Sequence, residues 1–189
     1  MSTSPYSIFE TWSRASVRAL EGAVAVNRTA LSAFSSNGDR TDDRIEPAVD
    51  LPEWKIESDV SDELSVGDTL RFTKMISEAD VDRFATASGD TNPLHLDEEV
   101  ADESRFEGRI VHGVLAAGLI SAALARLPGH VVYLSQDLEF RAPVRLGDRV
   151  TAEIEIAEAL GGGRYRLRTT VSKGEELVID GEAVVLVDD

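Results

Sequence analysis

Two different hydrophobic rhythms run along this chain. Over residues 8–34 apolar side chains recur with a helical period. At 100° per residue Phe9, Trp12, Ala19, Leu20, Ala23, Ala30, Leu31 and Phe34 share one face, while Arg14, Arg18, Glu21 and Arg28 occupy the other. Asn37-Gly38-Asp39 ends that pattern, which predicts an amphipathic helical extension over residues 1–36. Residues 37–61 carry no helical or strand period, and Pro47 and Pro52 favour an extended linker there. From residue 62 to 189 the pattern becomes that of a compact domain. Thr69 to Ile76 reads as a strand, and Ser77-Glu78-Ala79-Asp80 as a capped helix start whose helix closes at Gly89. Asp90 to Leu96 reads as a loop because of Pro93, and Asp97 to Ser104 as a short acidic helix. Gly113 to Leu127 is helical and apolar almost all round, so it is expected to be buried on most sides. Four strands then follow, near 131–142, 149–158, 164–173 and 177–187, separated by Gly147-Asp148, Gly161-Gly162-Gly163 and Lys173-Gly174. One buried helix beside an antiparallel run of strands is an α+β arrangement.

Composition narrows the functions open to such a domain. The 189 residues hold 35 Asp+Glu against 19 Lys+Arg, a formal net charge of −16. This argues against nucleic acid, which needs clustered positive charge. Cysteine is absent, so disulfides, thiolate metal sites and thiol nucleophiles are excluded. The start lacks a basic segment followed by an apolar run, so no signal peptide is expected. Ile110 to Ala125, the longest apolar stretch, is shorter than the about 18–20 residues that span a bilayer. A cytoplasmic protein is the expectation. Lysine occurs only at 55, 74 and 173, an acidic, lysine-poor surface of the kind that suits salt-loving cells, and refolding against KCl checks that reading.

Candidate chemistry concentrates in two blocks. Phe84-Ala85-Thr86-Ala87-Ser88-Gly89-Asp90-Thr91-Asn92-Pro93-Leu94-His95 sets a carboxylate and an imidazole five residues apart on a stiff bend, a pair able to hold and deprotonate one water. Phe106-Glu107-Gly108-Arg109-Ile110-Val111-His112-Gly113 leads into the apolar helix, whose first N–H groups lack intrahelical partners and suit developing negative charge. At Gly113 a ligand can approach the backbone closely. Read alone, Asp90 and His95 also fit an ordinary turn carboxylate and a solvated loop histidine. A metal pair is not expected, since no third Asp or His lies at useful spacing.

The two blocks resemble the MaoC-like, (R)-specific enoyl-CoA hydratase family with the hot-dog fold. Phe84, Ala87, Ser88 to His95 and Ala101 match the family's motif. Ile110 to Gly113 and Phe140-Arg141-Ala142-Pro143-Val144 also look like family segments. The resemblance covers about residues 65–187. It implies an antiparallel sheet wrapped round the helix beginning at Gly113, and a homodimer. It implies Asp90 and His95 as the pair that activates water, the Gly113 N–H as oxyanion donor and Asn92 as a brace of the loop. The implied reaction is reversible hydration of trans-2-enoyl-CoA to (3R)-3-hydroxyacyl-CoA, without metal or organic cofactor. A supply of monomers for polyhydroxyalkanoate is an implied role, and aromatic amphipathic helices like residues 8–34 dock on storage granules or on partner helices.

Other readings stay open. They are a branched or dicarboxylic (mesaconyl-type) substrate, a hot-dog thioesterase, and a non-catalytic acyl-CoA-binding or granule-associated protein. Leu115, Leu119 and Leu124 suit either an acyl tunnel or core packing, and Ser121, within the apolar helix, is a candidate acyl-site residue. His112 is expected to bond locally and orient the helix entry, and His130 to sit on the surface. Arg141, Arg145 or the alternating Arg164, Arg166 and Arg168 are candidates for the CoA phosphates; a solvated sheet face balancing nearby acids is the competing reading.

Overall fold

A computed structural model describes residues 51–188. The extension read over residues 1–36, the helix over 8–34 and most of the linker lie outside the described residues. Within them the order is β1 (Lys55–Ser58), β2 (Thr69–Met75), α1 (Glu78–Ser88), α2 (Pro93–Leu96), α3 (Glu98–Asp102), α4 (Gly113–Leu124), β3 (His130–Phe140), β4 (Arg149–Gly161), β5 (Arg164–Lys173) and β6 (Glu176–Asp188). All six strands form one antiparallel sheet in the order β1-β2-β4-β5-β6-β3.

Alternation along the strands builds the core. Val150, Ala152, Ile154 and Ile156 of β4 are fully buried, while the intervening Thr151, Glu153 and Glu155 are only half-buried. The register sets Arg71 of β2 opposite Glu153, and the two side chains pair. On the same outer surface Arg166 pairs with Glu158 and Glu182. Arg166 of β5 thus balances neighbouring acids, while Arg164 donates to the Gly161 carbonyl. Across the inner face lies α4, packed on β2, β4 and β5, with Ala116, Leu119, Ile120, Ala123 and Leu124 buried.

The sheet starts earlier than the sequence pattern indicates. β1 falls inside the stretch read as linker and pairs with β2 residue by residue from Lys55↔Thr73 to Ser58↔Leu70. Trp54, just before it, sets its ring edge-on to Phe72 at 5.3 Å, and the Arg126 guanidinium lies over both rings. A four-residue edge strand with Ile56 as its sole aliphatic residue has too little period to be read from sequence.

Helix α1 is anchored at its start by a reciprocal cap. The Ser77 hydroxyl accepts from the Asp80 N–H at 3.3 Å, and the Asp80 carboxylate accepts from the Ser77 N–H at 2.9 Å. Burial of Asp80 works to raise its pKa. Hydrogen bonds from Lys74, at 2.6 Å, and from Ser77 outweigh it and hold the carboxyl below its ordinary value. At the other end Gly89 takes φ 76°, a left-handed cap that turns the chain into the next segment.

Two further features depart from the sequence expectation. Pro93 starts a helix instead of excluding one. As the first residue of α2 it has no amide hydrogen to lose, and Asn92 caps that turn by accepting from the Leu94 N–H at 3.1 Å. The apolar helix α4 is also less enclosed than expected. Val114, Gly118, Ser121 and Ala125 form a stripe at i, i+4, i+7 and i+11 that faces away from the sheet and is exposed in the single chain.

Candidate active site

The bend between α1 and α2 is assembled from short-range hydrogen bonds. The Ser88 hydroxyl donates to the Phe84 carbonyl at 2.7 Å and accepts from the Asp90 N–H at 3.1 Å. One Asp90 carboxylate oxygen accepts from the Asn92 N–H at 3.3 Å. Asn92 in turn caps α2, so the expected bracing of the loop takes a definite form. The segment leaves the Asp90 side chain at the surface and turns His95 inward.

His95 is 8 % exposed, and its ring is oriented by the backbone of another segment. Nδ1 lies 2.8 Å from the Ile110 carbonyl, which only accepts, so Nδ1 carries the proton, and in the neutral ring the lone pair is on Nε2. Arg109 donates through Nε to the His95 carbonyl at 2.8 Å and is itself fixed by Glu78 at 2.6 Å. The imidazole is therefore held in the tautomer that a general base requires.

His112 makes a long-range hydrogen bond in place of the local one expected of it. It is 1 % exposed, and Nε2 meets the carbonyl of Asp90, 22 positions away, at 3.0 Å. Its ring packs 3.8 Å from His95 and 4.9 Å from Phe84, centroid to centroid. Donor atoms of Asp90, His95 and His112 all lie within 4.8 Å of one another. Folding thus brings beside the pair a third donor that the sequence spacing does not show. These three residues are the set that could hold a divalent ion.

Beside them opens a cleft of about 290 Å³. His95 and Gly113 line it together with Phe106, Ile110, Val111, Ala116, Phe140, Ala142, Pro143, Val144, Val178 and Ile179, and Arg105 and Arg141 join them. An apolar slot with an imidazole, a helix tip and two guanidinium groups suits a ligand with an apolar part and a charged part. Gly113 is the first residue of α4, and its N-cap, His112, makes no side-chain capping hydrogen bond. A Cβ at Gly113 would lie 2.9 Å from Phe140 Cε1, so only glycine leaves that ring where it is.

Other predicted residues fall elsewhere. Leu119 is packed in the core and Ser121 is on the exposed stripe of α4, so neither lines the cleft of the single chain. The helical period explains this, since it turns Gly113 and Ala116 toward the cleft and Leu119 toward the sheet. Arg145 is committed to the loop, donating to the Phe106 and Glu107 carbonyls. Arg141 does reach the cleft, where it also pairs with Glu139. Arg105, stacked over Phe106 at 4.9 Å, was not singled out from sequence; its place beside the quoted Phe106 block is the signal that pointed to it.

A six-stranded antiparallel sheet packed on the apolar helix α4 is the hot-dog fold. An (R)-hydratase from A. caviae involved in PHA biosynthesis superposes with a TM-score of 0.64 at 39% identity, over 68% of this chain and 100% of that one. A 3-hydroxybutyryl-CoA dehydratase from Methylorubrum extorquens is 51% identical over 129 residues, 67% of this chain and 82% of its own length. An (R)-specific enoyl-CoA hydratase from Rhodospirillum rubrum is 43% identical over 129 residues, 67% of this chain and 90% of its own. Residues 61–177 match the model of the MaoC like domain. The chain belongs to the MaoC-like domain family. Its relatives are hydro-lyases, in agreement with the expected class of enzyme. Among the described residues no helix is long and apolar enough to cross a membrane.

Proposed function

We propose that this protein is an (R)-specific enoyl-CoA hydratase, adding water reversibly to trans-2-enoyl-CoA to give (3R)-3-hydroxyacyl-CoA. The observation that carries the reading is the convergence of the Asp90 and His95 donor atoms within 4.8 Å at a cleft that His95 shares with Gly113. Water held between the Asp90 carboxylate and His95 Nε2 loses a proton to the pair as its oxygen attacks C3. Electron density moves through C2 to the thioester oxygen, and the Gly113 N–H at the helix tip stabilises that enolate. The proton then returns from the same pair to C2, on the face the water entered. The names of the relatives, a 3-hydroxybutyryl-CoA dehydratase and an (R)-specific enoyl-CoA hydratase, support the overall reaction.

Arg105 and Arg141 support a CoA thioester, since both guanidinium groups stand at the cleft while Arg141 keeps its side chain half exposed. Such a mouth suits phosphate better than the buried carboxylate of a dicarboxylic substrate. The test is purified protein with crotonyl-CoA. A hydratase removes the conjugated-enone absorbance and releases no thiol; free CoA would mark a thioesterase, and no change at all a binding protein.

The site is read as belonging to a homodimer. β3 ends the sheet and leaves an eleven-residue edge on which Val132, Tyr133 and Leu134 are 40–50% exposed, and Val114 on the α4 stripe is 65% exposed. Apolar edges of that length pair with another chain or aggregate, and a second copy covers both features. Granule docking through residues 8–34, and with it a supply of polyhydroxyalkanoate monomers, rests on the sequence pattern and on the role stated for the A. caviae enzyme. A solution mass of twice 20.5 kDa, and loss of granule co-sedimentation on removing residues 1–45, are the checks on these two assignments.

A further inference from the structure

The least economical residue in the site is His112. It is 1 % exposed, yet its Nδ1 is buried with no hydrogen-bond partner among the described residues. An imidazole with an unpaired nitrogen in the interior is a poor stabiliser, and a phenylalanine of the same outline would avoid that desolvation. The other nitrogen is well used. The Asp90 carbonyl accepts only, so Nε2 carries the proton and donates to it at 3.0 Å.

That single bond joins parts of the site that the chain keeps far apart. The Asp90 carbonyl belongs to the residue bearing the carboxylate. The His112 ring lies against His95 at 3.8 Å with the planes 33° apart, and against Phe84 of α1 on the approach to the bend. Its backbone is the N-cap of α4, one residue before Gly113. Because the imidazole turns to Asp90 instead of capping its own helix, the first amides of α4 stay free of a side-chain acceptor. One side chain therefore sets the distance from carboxylate to base and from both to the oxyanion donor.

We infer that His112 is a positioning residue of the hydration reaction: its Nε2–H locks the Asp90 backbone, and its ring the His95 imidazole, to the tip of α4. This rests on the proposed hydratase reading. The role is geometric, so it belongs to kcat. Misplacing reacting groups by about 1 Å costs on the order of a hundredfold in rate, while substrate binding is made elsewhere in the cleft.

The experiment compares His112→Phe and His112→Gln with the unaltered full-length chain on crotonyl-CoA, with melting temperature measured for each. Phe keeps the ring shape and removes the donor; Gln restores an N–H near the position of Nε2. The expected result is a kcat about ten- to a hundredfold down in His112→Phe with KM within about threefold, at an unchanged or higher melting temperature. His112→Gln recovers at least several-fold of that loss. Equal kcat in both variants, or a Phe variant as fast as the parent, overturns the proposal. If His112→Phe does not fold, Gln against His112→Asn decides. Asn sets its amide nearer the Nδ1 position, so recovery by Gln alone supports the role and equal activity overturns it. Turnover by the parent separates this outcome from failure of the hydratase reading itself, in which the unaltered chain does not hydrate crotonyl-CoA.

Discussion

Asp90→Asn and His95→Gln are each expected to lower kcat for crotonyl-CoA by ~10²-fold or more, the scale of losing a general acid–base partner. In the proposed mechanism the two groups act on one water, so the double variant is expected to be little slower than either single one. Folding is a weak confounder for Asp90. Its side chain is exposed, and its carboxylate accepts a 3.3 Å hydrogen bond from the Asn92 N–H, which an asparagine oxygen can also accept. His95 is buried and bonded through Nδ1 to the Ile110 carbonyl, a bond that a glutamine amide near the Nε2 position does not keep, so for this variant the melting curve carries the control. A steady-state assay alongside a melting curve therefore separates chemistry from stability. Near-parental turnover in either variant would remove that residue from the mechanism.

Gly113→Pro is the second large effect. Proline is at home in the first position of a helix, and His112 already has the extended ψ of 128° that a following proline requires. The substitution therefore keeps α4 and deletes the one N–H assigned to the thioester oxygen. The expected loss is about 10²–10³-fold in kcat, the scale of removing one oxyanion donor. Any side chain at 113 also crowds Phe140, since the added Cβ falls 2.9 Å from Cε1. Gly113→Ala shares that crowding and keeps the N–H, so it serves as the control. The difference between the two variants reports the donor; equal rates would mean that the helix tip is not where charge collects.

Much of this arrangement was legible in the sequence because it is written in local patterns. Alternation along β4 and glycine-marked turns fixed the strands from residue 130 onward, and the Ser77/Asp80 cap fixed the start of α1. The segments quoted for the family resemblance meet in space: His95, Phe106, Ile110, Val111, Gly113 and Phe140 to Val144 all line one cleft. What could not be read depends on contacts between distant residues. β1 exists because β2 offers it a partner, not because Lys55–Ser58 has a strong pattern. The uniform apolarity of α4 conceals which of its faces the sheet covers, and so where Leu119 and Ser121 point. The distant partner of His112 was invisible for the same reason. It is a backbone carbonyl 22 positions earlier, and no spacing rule connects an imidazole to a carbonyl.

The most direct test of the account is the configuration of the hydration product. Because the Asp90 and His95 donor atoms lie within 4.8 Å of each other and His95 lines the cleft, the proposed mechanism has one face of the double bond receive both the oxygen and the returning proton. Hydration of crotonyl-CoA in D₂O is predicted to give (3R)-3-hydroxybutyryl-CoA with deuterium at C2 on the face that took the oxygen. Deuterium delivered to the opposite face would contradict a single acid–base pair acting from one side, and a (3S) product would contradict the (R)-specific assignment.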